Sequence, residues 1–165
     1  MKKDKAIIQT DKVKNPDVLT GKYVVPSEDT NPINLENGAV INIGELEDTE
    51  YGRDTHKIYK VTNDTLDWGI VDDPATMYDE RLDERDYEVS PGQICRCRRL
   101  KKGDEVTISL LHIADKSIAV KDKLQLKSDS FQFEKLPTAD AKTPVAEVLE
   151  LWNYEGQDSV TIKVL

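Results

Sequence analysis

Three features of this sequence predict an all-β fold, a compact barrel or sandwich of short antiparallel strands with one short helix and an extended N-terminal arm. Apolar and polar residues alternate in short runs. Val106, Ile108 and Leu110 fall on one face of a strand with Thr107 and Ser109 on the other, and Val160, Ile162 and Val164 alternate with Thr161 and Lys163. Turn-forming residues separate the runs, at Asn37-Gly38, Gly103-Asp104 and Glu155-Gly156-Gln157. A convincing helix start occurs only at Asp73-Pro74, where an N-cap residue precedes a proline whose missing N–H costs nothing in the first turn. Many short strands with polar turns and a single small helix are the pattern of a β-barrel or sandwich.

Taken in order, residues 1 to 34 hold Pro16, Pro26 and Pro32 among many Lys, Asp, Asn and Thr residues. This stretch predicts an arm separate from a β-rich domain over 35 to 165. Its apolar residues, Ile7, Ile8, Val18, Leu19, Tyr23, Val24 and Val25, are spaced as small anchors along an extended polar strand. Ala39 to Ile43 predicts a strand ended by Gly44, His56 to Val61 a second one, and 45 to 54 an acidic loop between them. Residues 75 to 84 complete two or three helical turns. Gln93 to Leu100 and Glu105 to Leu111 predict a hairpin about Gly103-Asp104. Short strands at 124 to 126 and 131 to 134 follow, then a hairpin of 145 to 152 with 157 to 164. No internal repeat or low-complexity tract interrupts the chain.

Composition narrows the function classes. A chain of 165 residues holds one ordinary domain, or one domain and an arm, but not two catalytic domains. With 38% hydrophobic residues its core is thin, so exposed strand edges and apolar islands favour completion by partners. The formal charge of -9 repels phosphate backbones, which argues against nucleic acid as a partner. No apolar window approaches the ~20 residues that span a bilayer, and the apolar run at the N-terminus is too short for a signal-peptide core. Two cysteines are too few for a disulfide framework, so the expected site of synthesis is a reducing cytoplasm.

Each group that could carry chemistry has a plainer reading. Cys95 and Cys97 lack the second close pair of a structural zinc site, and His56 and His112 are isolated in sequence. They read as two small side chains on one strand face with Arg96 and Arg98 on the other. Alternate strand residues are poorly placed for a disulfide. The acidic group Asp72, Asp73, Asp79, Glu80, Asp83, Glu84, Asp86 and Glu88 lacks a calcium-loop pattern and has Arg81 and Arg85 at helical spacing within it, as a self-paired solvated face would. The basic cluster Arg96, Arg98, Arg99, Lys101 and Lys102 has no interleaved aromatic residues to stack bases, and pairing with acidic protein surface is expected of it. The motifs of serine hydrolases, P-loops and dinucleotide folds are missing. The expectation is a protein that is not an enzyme, with no catalytic residues, metal or cofactor.

Several segments resemble a known family. Leu35 to Leu46 (L-E-N-G-A-V-I-N-I-G-E-L), Tyr59-Lys60-Val61, Pro74 to Arg81 (P-A-T-M-Y-D-E-R) and Lys102-Gly103-Asp104 before a strand are similar, in that order, to tailed-bacteriophage capsid decoration, or cement, proteins. The likeness runs from Leu35 to about Leu165. It departs between Asp86 and Gln93, where a longer loop is expected, and at Cys95-Arg96-Cys97.

The resemblance implies a virion structural protein. It would be made in the host cytoplasm, assemble as a homotrimer and bind the major capsid protein on the outer capsid surface, without contacting nucleic acid or membrane. The arm anchors would then dock on neighbouring decoration subunits or on the capsid protein. Two other classes remain open at this point: a small cytoplasmic metal-assisted hydrolase using the acidic helix and histidines, and a head-fibre or receptor-binding protein.

Overall fold

The protein is described by a computed structural model, which places residues 6–14, 17–48, 54–74, 86–137, 143–154 and 156–165. The chain is all-β. Among the described residues eleven strands run in order: β1 (Ile8–Gln9), β2 (Val18–Tyr23), β3 (Val40–Leu46), β4 (Thr55–Tyr59), β5 (Trp68–Val71), β6 (Ile94–Arg99), β7 (Glu105–Ser109), β8 (Lys123–Leu126), β9 (Phe133–Lys135), β10 (Ala146–Tyr154) and β11 (Gln157–Val164). One turn of 3-10 helix, Leu110–His112, follows β7. The helix expected over 75 to 84 lies outside the described residues.

The strands form two bodies. A closed five-stranded barrel has the order β2-β4-β3-β5-β6, and a six-stranded sheet has the order β1-β7-β11-β10-β8-β9. Period-two alternation explains how they share a core. On β3, Ile41 and Ile43 turn into the barrel with Tyr23, Ile58, Val71, Cys95 and Cys97, whereas Val40 turns outward. Val40, Ile70 and Trp68 on the barrel wall pack against Ile108, Val160, Ile162, Leu126 and Phe133 of the sheet. Trp68 meets Phe133 edge to face at 5.6 Å, a geometry favoured by the aromatic quadrupoles. Strand β5 is therefore covered on both faces, as is the start of β3 at Val40 and Ile41.

The N-terminal reading needs correction. Residues 17 to 34 are not an arm apart from the β domain: β2 is a barrel stave, parallel to β4 from Thr20 on Thr55 to Tyr23 on Ile58, and antiparallel to β6 from Val18 on Arg98 to Lys22 on Ile94. The barrel is consequently not wholly antiparallel. β1 adds to the sheet edge through Ile8 on Ile108. Prolines that exclude helix are compatible with strands, and closing the barrel supplies ladder partners to a segment too polar to announce itself.

Two turn readings are also revised. Gly103-Asp104 does not close a hairpin, because β6 belongs to the barrel and β7 to the sheet. The turn is closed by the Asp104 N–H on the Lys101 carbonyl at 3.0 Å, with Gly103 at φ +90°, a conformation that favours glycine. The Asp104 carboxylate accepts the Lys14 and Lys101 N–H groups at 2.9 Å each, and its carbonyl accepts from Val164 at 2.9 Å. The turn thus anchors a crossover between the two bodies. Gly44 does not end β3 either. It lies where the β3–β4 register shifts, and a Cβ there would come within 2.6 Å of the Tyr59 ring. The β10–β11 hairpin and the short strand β8 form where the pattern placed them, and β9 begins two residues later than expected, at Phe133.

Candidate functional site

The residues expected to bind partners are distributed between the two cores. Ile7 is buried, its carbonyl accepting the Ser109 N–H at 2.9 Å, and Ile8 packs against the shared core. Leu19, Tyr23 and Val25 pack in the barrel, where Tyr23 stands edge to face with Phe131 at 5.5 Å and donates its hydroxyl to the Ile33 carbonyl at 2.9 Å. Val24 is half-buried and donates its N–H to Ile58. Of the seven, only Val18, 44% exposed, presents a largely open side chain.

The chemistry-bearing residues converge on a network where the barrel wall meets the 3-10 turn. The buried His112 donates Nε2–H to the Asn37 carbonyl at 2.8 Å. Its ring lies over Gly38, at φ +88°, where a Cβ would come within 2.8 Å of Cδ2. The Asn37 side chain donates to the Asp73 carbonyl and accepts the Asp73 N–H, both at 2.8 Å. The Tyr87 hydroxyl donates to the Asp73 carboxylate. Next along the chain, buried Asp72 receives Arg98 Nε at 2.8 Å and Nη2 at 2.7 Å, with Arg96 Nη2 at 3.5 Å. Burial holds the His112 ring down to about pH 4, so at neutral pH it is an uncharged donor.

This arrangement fits a staple better than a catalyst. A general base needs an available lone pair near its working pH, whereas these carboxylates are engaged by guanidinium or phenol groups and the buried His112 has its Nε2–H committed to the Asn37 carbonyl. Cys95 and Cys97 share one buried strand face with their sulfurs 3.6 Å apart. The hydrogen bond between the Cys97 and Cys95 sulfurs, followed by burial, pushes the Cys97 thiol far above its ordinary value and keeps it a poor nucleophile. His56 is half-buried and donates Nδ1–H to the Gly44 carbonyl at 3.0 Å. Among the described residues, no three His, Cys, Asp or Glu side chains are grouped to hold a metal ion.

The basic cluster pairs within the molecule, with Asp72 of the acidic group and with Asp67 and Asp17 outside it. Arg96 and Arg98 meet Asp72, while Arg99 bridges Asp67 and Asp17 at 2.7 and 2.9 Å, with Lys101 joining Asp17 at 3.5 Å. Of the expected acidic face, Asp72 and Asp73 are used internally, Glu88 accepts from Asn34 at 2.7 Å, and 79 to 85 lie outside the described residues. Elsewhere, Lys57 at 2.9 Å, assisted by Glu45's own backbone and by Tyr59, holds the Glu45 carboxyl down to about 2.

Apolar side chains remain on the outside. Leu66 is 97% exposed on the β4–β5 connection and Ile33 57% exposed on the β2–β3 connection. Ile33 borders a groove of about 410 Å³ that Leu35, Ala39, Phe131, Leu111 and His112 also line. A sequence pattern could flag these residues as apolar, but could not distinguish them from core. No protein-family model, curated protein or solved structure matches the chain.

Proposed function

We propose that this chain is a non-catalytic structural protein that decorates the outer surface of a tailed-phage head and stabilises its capsid lattice. In this reading three copies close on one another and contact the major capsid protein, after synthesis in the host cytoplasm. The supporting observation is the projection of Leu66 and Ile33 from two connections on the barrel, with Ile33 bordering a groove lined in part by Leu35, Ala39 and Phe131. Exposed apolar groups around a recess suit protein–protein contact. The segment likeness to cement proteins supplies the identity of the partner. Because β2 belongs to the barrel, the contact in this reading falls to the connections and strand edges of the body.

The direct test is to add purified protein to expanded heads lacking it and image the product by electron cryomicroscopy. Saturable density on the outer surface at three-fold or quasi-three-fold positions is the expected result. Heads that remain bare at saturating protein would overturn the reading. Double substitution Leu66→Asp and Ile33→Asp should weaken binding at least tenfold, about 1.4 kcal/mol, while leaving the circular dichroism spectrum unchanged.

A further inference from the structure

Hydrogen-bond parity exposes an open strand edge on the six-stranded sheet. The Ser109 N–H donates to Ile7, so Ser109 turns its backbone groups toward β1 and away from its partner Ser159. Ser159 accordingly exchanges bonds with Trp152 across the β10–β11 ladder. The neighbours of Trp152 alternate, which turns the N–H and C=O groups of Leu151 and Asn153 away from β11. Val148 supports the same parity, since its outward N–H and C=O meet Asp122 and Lys121 at 2.9 and 2.8 Å. β8 covers β10 only at Ala146 and Glu147. Beyond Val148, the outward backbone groups of Leu151 and Asn153 meet no other described residue.

This edge differs from the other two. β1 is two residues long, and β9 is three residues long with Lys135 paired to Asp122 at 2.8 Å, both common ways to blunt an edge. The 149 to 154 stretch has no Lys or Pro, and Leu151 on it is 38% exposed.

We propose that β10 pairs antiparallel with β10 of a second copy across a two-fold axis at Trp152, making one continuous sheet through both molecules. With Leu151 opposite Asn153 of the copy and the reverse, all four outward donor and acceptor pairs are satisfied. Shifting the two-fold axis one residue toward the N-terminus, to Leu151, would set Asn153 against position 149, where the β10–β11 register shifts. The chosen register is also compatible in charge: Glu150, the acidic residue of the stretch, falls opposite position 154, a tyrosine. An isologous contact needs this self-complementarity. It is separate from the three-fold closure proposed above and involves no capsid, so either can fail alone. Because each copy carries -9, added salt tightens the contact by screening repulsion.

Sedimentation of the full chain over a hundredfold range of concentration tests this. Leu151→Pro removes an N–H that the single molecule does not use and should weaken association at least tenfold with an unchanged melting curve. A mass identical to that variant's at every concentration, or association that survives the substitution, would overturn the proposal. Should Leu151→Pro not fold, oxidising a mixture of Leu151→Cys and Asn153→Cys proteins decides the matter, the native cysteines being buried. Cross-linked dimer from the mixture and not from either variant alone is expected. Equal cross-linking in all three samples, or in none, refutes the register.

Discussion

Removing residues 1 to 34 should abolish cooperative folding, because that segment contains a barrel stave. Tyr23 allows the effect to be approached in steps. Its side chain is fully buried, stands edge to face with Phe131 at 5.5 Å and donates to the Ile33 carbonyl at 2.9 Å. Tyr23→Phe keeps the ring and leaves one carbonyl without its donor, a loss of about 1–2 kcal/mol. Tyr23→Ala also removes the ring and leaves a cavity among Ile58, Cys97 and Phe131, for a total of roughly 4 kcal/mol. Against a typical domain stability of ~5–15 kcal/mol that is a large fraction. Deleting the whole segment goes further, since it strips the ladder partners from both β4 and β6 and opens the barrel core. Urea denaturation followed by tryptophan fluorescence reads all three. With a slope of ~2 kcal/mol per M, the alanine variant's midpoint should fall by about 2 M and the phenylalanine variant's by less than 1 M. Burial raises the Tyr23 phenol above its ordinary value of 10.0, so above pH 10 the unfolded chain loses its proton first and stability falls. Tyr23→Phe should reduce that alkaline loss. A truncated chain beginning at Leu35 that unfolds cooperatively with an undiminished slope would refute this account and restore the separate arm.

Three further outcomes are expected. Gly69→Ala should cost at least ~2 kcal/mol or prevent folding, because a Cβ there would lie 2.3 Å from the Arg98 carbonyl oxygen, an atom of the paired strand that cannot rotate aside; a melting temperature within a degree of wild type would contradict it. His112, held down to about 4 by burial, contributes no penalty above pH 6.5 and a growing one as pH falls, reaching roughly 3 kcal/mol near pH 4. Midpoints of urea unfolding at pH 7, 5.5 and 4 should therefore fall in that order, with a shallower fall in His112→Gln. Asp72→Asn should cost about 2–3 kcal/mol, between an exposed and a buried ion pair, because Asp72 and Arg98 are shielded while Arg96 is partly solvated. Salt-independent unfolding indistinguishable from wild type would show that the two arginines gain nothing from the charge.

The sequence alone was sufficient for local chemistry. Period-two alternation marked β7 and β11, turn residues marked the β10–β11 hairpin, and the Cys-x-Cys spacing put both thiols on one strand face with Arg96 and Arg98 opposite. Those features depend on neighbours within a few residues, so they are legible in one dimension. What the tertiary structure decided was partnership. β2 looked like a polar arm because half of its side chains face solvent, and only barrel closure, joining residues about 35 and 75 positions away, gives it ladder partners on both edges. Trp68–Val71 carried no alternation because the barrel covers one face and the sheet the other, which removes the polar half of the pattern. The turn at Gly103 is a sound turn in either setting, and long-range bonds to Lys14 and Val164 determine that it crosses between bodies. His112 looked incidental for the same reason: its burial and its bond to Asn37 join positions 75 residues apart, and no local pattern records such a contact.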